Sequence, residues 1–216
     1  EYVVNRNEKK VYNYLFTILP FISKKYTTSV IKTRLKNYYS PLEKIELEGR
    51  YFQIPCLKKR YDIFSWKGIH FSNFNCFELT DIEGRSSLKN YIDLLISSVY
   101  NKDIYYFRNI LESTCRDLHV FIAQSNTSKY GDCEIIQPTK RETMTIASIK
   151  GGINDHLLIG VVNVNDIRNF QLTTHEKQIF SEEFKLTPPG INPDIVQARK
   201  ENLLEKYIKF QNKEKK

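Results

Sequence analysis

The chain has 216 residues, 41% hydrophobic and 27% charged, which reads as one folded core with terminal extensions rather than a disordered chain. Its longest apolar runs, residues 15–22 and 157–164, fall well short of the roughly 20 residues that cross a bilayer, so no transmembrane segment is expected. The formal net charge of +8 is unevenly spread: residues 1–70 hold 14 Lys and Arg against 6 Asp and Glu, whereas the rest of the chain holds 19 of each sign.

From the N-terminus, Val11, Tyr14, Leu15, Ile18 and Leu19 fall at helical spacing, and Pro20 ends or kinks that run. A second amphipathic helix is expected over residues 22–39, with Tyr26, Val30 and Leu35 on one side and Lys24, Lys25, Lys32, Arg34 and Lys36 on the other. Ser40-Pro41 closes it. Residues 42–79 change texture: Ile45, Leu47, Tyr51, Ile54 and Cys56 are spaced as in strands or extended arms, with breaks at Gly49, Pro55 and Gly68.

After a turn at Gly84-Arg85-Ser86-Ser87, the positions of Leu88, Tyr91, Ile92, Leu95 and Val99 predict a helix. Asn101-Lys102-Asp103 interrupts it, and Ile104, Phe107, Leu111, Cys115, Leu118 and Ile122 predict a second helix, forming a hairpin with the first. A polar loop over 124–132 precedes expected strands at 133–136, 144–149 and 157–164, with a hairpin turn at Gly151-Gly152-Ile153-Asn154-Asp155. Pro188-Pro189-Gly190 breaks the chain, and Asn192-Pro193-Asp194 starts a final helix. Its apolar side is Ile195, Leu203, Tyr207 and Phe210, and Lys213, Lys215 and Lys216 form a basic end. The expected class is α+β: a helical hairpin packed on an antiparallel sheet, with a basic N-terminal helical or extended arm and a C-terminal helix. The corresponding regions are residues 1–85, 86–187 and 188–216.

Cations neutralise phosphates and aromatic faces stack on bases, so the interleaving of the two in the first third points to RNA. The expected contacts are Lys24, Lys25, Lys32, Arg34, Lys36, Lys58, Lys59, Arg60 and Lys67 to phosphate, with Tyr61 and Trp66 available for stacking. A competing reading is a metal-dependent nuclease built on Asp132, Glu134 and Lys150, with Lys140 nearby, because metal ions need carboxylates and the attacking water needs a cation. It requires those side chains to converge. His70, His119, His156 and His175 are dispersed, and Cys56, Cys76, Cys115 and Cys133 form no CxxC pair. Reduced, buried thiols are expected, with no metal, no cofactor and no catalytic residue.

Residues 87–122 resemble the cone-shaped domain of the membrane-anchoring subunit of the mitochondrial presequence translocase and its relatives on the mitochondrial large ribosomal subunit. The step Ser98-Val99-Tyr100-Asn101-Lys102-Asp103-Ile104, then Phe107 and Leu111, carry the likeness, with residues 157–164 as a sheet strand; it covers about residues 86–172. It implies a non-catalytic scaffold. The combined expectation is an RNA-associated structural protein of a mitochondrial-type ribosome or ribonucleoprotein in the matrix, with ribosomal RNA and neighbouring proteins as partners. A protein-docking scaffold that uses the terminal helices is a further alternative.

Overall fold

The computed structural model describes residues 2–56, 58–152 and 156–214. They divide into two compact units, Glu1–Tyr61 and Asp62–Lys216, each mixing helix and strand.

In the first unit, β1 (Tyr2–Asn5), β2 (Lys10–Ser23) and β3 (Tyr26–Leu35) form an antiparallel sheet in the order β1-β2-β3. Both stretches expected as N-terminal helices are therefore strands. The helical spacing of Val11, Tyr14, Leu15 and Ile18 coexists with a second pattern in which Val11, Asn13 and Thr17 are buried on one face. The β-branched and aromatic residues crowded into both segments suit a pleated surface, and that preference wins. A two-residue turn at Lys24-Lys25, with Lys24 at φ 56°, joins Ser23 to its partner Tyr26. Pro20 is tolerated because β1 pairs only with residues 10–13, leaving β2 a single neighbour at that point.

Ser40 and Pro41 begin a helix instead of closing one. Ser40 Oγ accepts the Glu43 N–H (3.2 Å) and Glu43 Oε2 accepts the Ser40 N–H (3.2 Å), a reciprocal cap on α1 (Pro41–Gly49). Ile45 and Leu47, expected in strands, lie on this helix. The chain then returns to the sheet, where the Gln53 N–H donates to Lys9 O (2.8 Å) and Gln53 O accepts from Val11 (3.0 Å).

The second unit is built on a mixed sheet of β4 (Phe64–Trp66), β5 (Ile69–Asn75), β6 (Leu94–Val99), β7 (Phe121–Asn126), β8 (Cys133–Ile136) and β9 (Thr145–Ile149), side by side in chain order. β5, β6 and β7 run parallel, and the outer pairs are antiparallel. Parallel neighbours need crossovers. The first carries a 3-10 turn (Cys76–Thr80) and α2 (Ile82–Ser86), and the second carries α3 (Ile104–Leu118). The expected helical hairpin is thus a strand followed by a helix, and the sheet is not wholly antiparallel. Leu95, Ser97 and Val99 are buried at alternate positions of β6, and a short apolar run between two paired strands satisfies the helical count by coincidence.

α3 buries Phe107, Leu111, Cys115 and Leu118, as its spacing predicts. It stops four residues early because His119 adopts φ 55°, a left-handed cap that sends Ile122 into β7. Strands at 133–136 and 145–149 match expectation, but residues 157–163 have no regular structure, and Leu157, Ile159 and Val161 are exposed. The predicted turn before them reaches residues 153–155, which lie outside the described residues. Val164 instead opens α4 (Val164–Leu172), followed by α5 (His175–Ser181). α6 (Pro193–Lys200) has the predicted start, with Asn192 Oδ1 accepting the N–H groups of Asp194 (2.9 Å) and Ile195 (3.4 Å). Asn202, at φ 57°, separates it from α7 (Leu204–Glu214). Among the described residues no helix is long and apolar enough to cross a membrane.

The amino ends of β5–β7 are tied to α4 and α6 by a buried charge network centred on Asp93. Asp93 Oδ1 accepts from Arg168 Nε (2.8 Å) and Arg199 Nη1 (2.5 Å), and Oδ2 accepts from Arg168 Nη2 (2.5 Å) and the His70 N–H (2.8 Å). Arg199 also donates to Ile92 O (2.6 Å) and Gln171 Oε1 (2.8 Å). Gln171 in turn donates to His119 O (2.7 Å) and Nδ1 (3.2 Å), which leaves His119 Nε2 as the donor to Lys185 O (2.7 Å). Burial pushes His119 down to about 4, so it is neutral in this setting. Beside the network, Phe121 packs with Val164, Ile167, Phe170 and Phe184.

Candidate active site

The carboxyl ends of parallel strands are where loops from separate elements converge on a ligand. At the end of β5 the chain makes a sharp strand-to-turn bend, and the residue at the bend is Cys76 in the left-handed conformation, φ 52°. This conformation costs a residue with a Cβ roughly 1–2 kcal/mol and persists only where its surroundings over-determine it. On the strand side, Asn75 pairs with Ser98 of β6. On the turn side, Leu79 and Glu78 are wholly buried, and Glu78 Oε2 accepts the Asn75 N–H at 2.7 Å.

Cys76 Sγ, half-buried, lies 3.9 Å from Tyr100 O in the loop after β6. That loop is fastened to the one after β7 by Asn126, whose Oδ1 accepts the Asn101 N–H (3.1 Å) while its Nδ2 donates to Asn101 O (2.9 Å) and Gly131 O (2.8 Å). The Tyr100 and Tyr130 rings meet edge to face at 5.4 Å. A cavity of about 550 Å³ runs along β6 to β9, lined by Ile96, Ala123, Ser125, Ile135, Ile149 and His156 among others; Cys76 is not among its lining residues.

The four cysteines are all free, but only Cys115 is the buried thiol that was expected. Its Sγ donates to Val120 O (3.1 Å), and burial pushes its thiol far above the usual range, which makes it inert. Cys56 is exposed and Cys133 half-buried. Cys76 alone among them has a positive φ at a strand end.

Asp132, Glu134 and Lys150 do converge, yet as an ion network. Asp132 Oδ1 accepts from Arg108 Nη2 (2.6 Å) and Lys150 Nζ (3.1 Å), and Glu134 Oε2 lies 3.8 Å from Arg108 Nε. The cations stand where a metal would have to bind, and Lys140 is elsewhere, 3.2 Å from Glu182. Among the described residues no group of three His, Cys, Asp or Glu could hold a metal ion.

Glu134 is nonetheless unusual. Its Oε1 and Gln124 Oε1, across the β7–β8 pair, have no hydrogen-bond partner among the described residues. Burial pushes Glu134 up to about 7, and the carboxylates of Asp132 and Glu112 add to this against the opposing pull of Arg108 and Lys150. A raised acid favours the folded state fully below its ordinary value near 4.5, and that contribution is lost as pH rises through 7. Glu134→Gln is therefore expected to stabilise the chain at pH 8 by on the order of 2 kcal/mol relative to its effect at pH 4.5. Urea unfolding of both proteins at the two pH values checks this.

Of the residues expected to bind RNA, Arg34, Lys36, Lys58, Lys59 and Arg60 line one cavity of about 930 Å³ in the first unit, and the others lie outside it. Lys24 and Lys25 form the β2–β3 turn, and Lys32 is exposed on β3. Arg34 is buried, its guanidinium 5.5 Å from the Tyr61 ring centre. Lys36 is also buried, paired with Glu43 at 2.6 Å, a carboxylate that further accepts from Asn13 Nδ2 (3.4 Å) and Tyr2 OH. Lys58 is exposed, Lys59 lies over the Tyr38 ring (3.9 Å), and Arg60 donates to Thr33 O (3.1 Å). Trp66 and Lys67 belong to the second unit, at the β4–β5 turn, with Lys67 Nζ 4.7 Å from the Trp66 ring centre. Sequence reasoning passed over Cys76, because a left-handed cysteine has no composition signal. The one available hint was a strand-like run, 69–75, ending directly in Cys-Phe-Glu-Leu.

No protein-family model and no curated protein matches the chain. Solved structures do. A CN-hydrolase superfamily protein from Xanthomonas campestris, with an arsenic adduct in its active site, superimposes with a TM-score of 0.54 at 13% identity, over 79% of this chain and 64% of that one. An amidase from Nesterenkonia sp. AN1 gives a TM-score of 0.49 at 15% identity, over 71% of this chain and 64% of that one. The chain thus spans less than two thirds of the length of either. The likeness to the Xanthomonas campestris protein overturns the expected kinship with the presequence-translocase and mitochondrial ribosomal domains. With that kinship go the non-catalytic RNA-associated scaffold and its ribosomal partners, the nuclease and the protein-docking scaffold. The chain has a fold found in the CN-hydrolase superfamily.

Proposed function

We propose that this chain carries a cysteine-dependent hydrolase of carbon–nitrogen bonds, acting on amides, with Cys76 as nucleophile. The observation that carries the reading is the left-handed Cys76 at the end of a parallel strand. A nucleophile on a strained strand-to-turn bend is held clear of the sheet and offered to substrate. Support comes from the fold shared with a CN-hydrolase superfamily protein.

In the proposed reaction the Cys76 sulfur gives up its proton as it adds to the amide carbonyl carbon, and the C–N bond breaks as the nitrogen takes up a proton in turn and leaves as ammonia or an amine. The remaining thioester is cleaved by water, which releases a carboxylic acid and restores the thiol. Ammonia release from a panel of primary amides, such as acetamide, butyramide and benzamide, tests it. At least one amide is expected to turn over with the wild-type chain and none with Cys76→Ala. Equal turnover by both proteins would remove Cys76 from the reaction.

A further inference from the structure

The bend at Cys76 is stabilised by a bond that spans it. Glu78 is wholly buried, and its carboxylate reaches back to the Asn75 N–H at 2.7 Å, bracketing Cys76 and Phe77 in one hydrogen-bonded ring. A hydrogen bond from a part-buried amide to a charged acceptor contributes about 1.5–3 kcal/mol, the same size as the strain of a left-handed residue bearing a side chain. Without this bond the strain has a direction in which to relax: the backbone can turn back toward an extended conformation, which swings the Cα–Cβ bond and carries Sγ away from the ends of the parallel strands. The opposite side cannot give way as easily, because Asn75 is held in register with Ser98 and Leu79 is fully buried.

We propose that Glu78 is the positioning residue for the Cys76 thiol, clamping the backbone on both sides of it so that Sγ is presented in a single orientation. This inference rests on the reading of Cys76 as nucleophile. It assigns Glu78 no contact with the reacting atoms. Its essential property is an acceptor oxygen at the reach of a glutamate side chain, which glutamine retains, alanine lacks and aspartate holds one methylene short.

The chain carries its own reference for the test, since Cys56 is an exposed thiol of the first unit. The rate of iodoacetamide modification at each cysteine, read by peptide mass mapping on the full chain, gives a Cys76-to-Cys56 ratio that is insensitive to reagent and protein concentration. Glu78→Ala is expected to lower that ratio at least tenfold and to lower kcat for amide hydrolysis with KM little changed, whereas Glu78→Gln stays within about threefold of wild type. Glu78→Asp is expected to follow Glu78→Ala, and it carries the comparison with Glu78→Gln if the alanine variant does not fold. An unchanged ratio in Glu78→Ala or Glu78→Asp, with Cys76 still the faster thiol in wild type, overturns the clamp alone. A glutamine variant as impaired as the alanine variant also overturns it, by showing that the charge and not the bond is required. A wild-type chain in which Cys76 reacts no faster than Cys56 instead overturns the nucleophile reading, and the clamp falls with it.

Discussion

Asp93→Ala is expected to destabilise the second unit by about 3–5 kcal/mol, the cost of leaving buried arginines without their counter-charge. Asp93, Arg168 and Arg199 are all at least 97% buried, and a single carboxylate serves both guanidinium groups and the His70 N–H. A domain of this size has about 5–15 kcal/mol of stability in total, so the variant should lie close to unfolding at room temperature. The urea midpoint is the measurement, and a loss below about 1 kcal/mol would show that the network is not what joins α4 and α6 to the sheet. Asp93→Asn keeps one acceptor and should fall between the two.

The same network predicts the acid limit of the fold. The hydrogen bonds from His70 and Arg168, with the charge of Arg199 beside it, outweigh burial and hold Asp93 down to about 2, against 3.8 ordinarily. Its contribution is therefore present above pH 3.8 and lost as pH falls toward 2. His119, held down to about 4 from 6.5, adds stability that is present above pH 6.5 and lost as pH falls through 4. Acid unfolding should begin with His119 and finish with Asp93.

On the proposed reaction Cys76→Ala is expected to lower amide hydrolysis by at least about a thousandfold, because the proposed nucleophile forms the covalent bond on which both halves of that reaction depend. The fold should survive. Alanine keeps the Cβ and meets the same left-handed strain as cysteine, and the removed sulfur is half-buried with one weak contact at 3.9 Å. Unchanged far-ultraviolet circular dichroism beside lost ammonia release separates the chemical effect from unfolding. Cys76→Gly should relieve the strain and stabilise the chain slightly while being equally inactive.

Much of the second unit was legible in the sequence where local signals agree with one another. The face of α3 from Phe107 to Leu118, the Asn192-Pro193 start of α6 and the strands at 133–136 and 145–149 each follow from spacing or cap chemistry alone. The misreadings came from segments with two compatible periodicities. Residues 10–23 and 88–99 carry apolar positions that satisfy a helical count, and β pairing with neighbours far along the chain decided between the readings: β3 for the first, β5 and β7 for the second. The break at Asn202 and the caps at His119 and Cys76 depend on left-handed backbone at residues other than glycine, which leaves no trace in composition. The site was hidden for the same reason. Its cysteine looked like three others, and the property that separates it is a backbone angle. The basic, aromatic first third drew attention because its composition is unusual, yet Lys36 and Arg34, counted there as phosphate contacts, are buried against Glu43 and Tyr61.

The most direct measurement of the central claim is the site of covalent modification by fluoroacetamide, a poor alkylating agent that discriminates in favour of an activated thiol. After incubation of the full chain, mass mapping of peptides containing Cys56, Cys76, Cys115 and Cys133 should find one carbamidomethyl group, on Cys76, with none on the more exposed Cys56. Labelling that follows exposure, with Cys56 modified first and Cys76 no faster than Cys133, would contradict the assignment of Cys76 as the nucleophile.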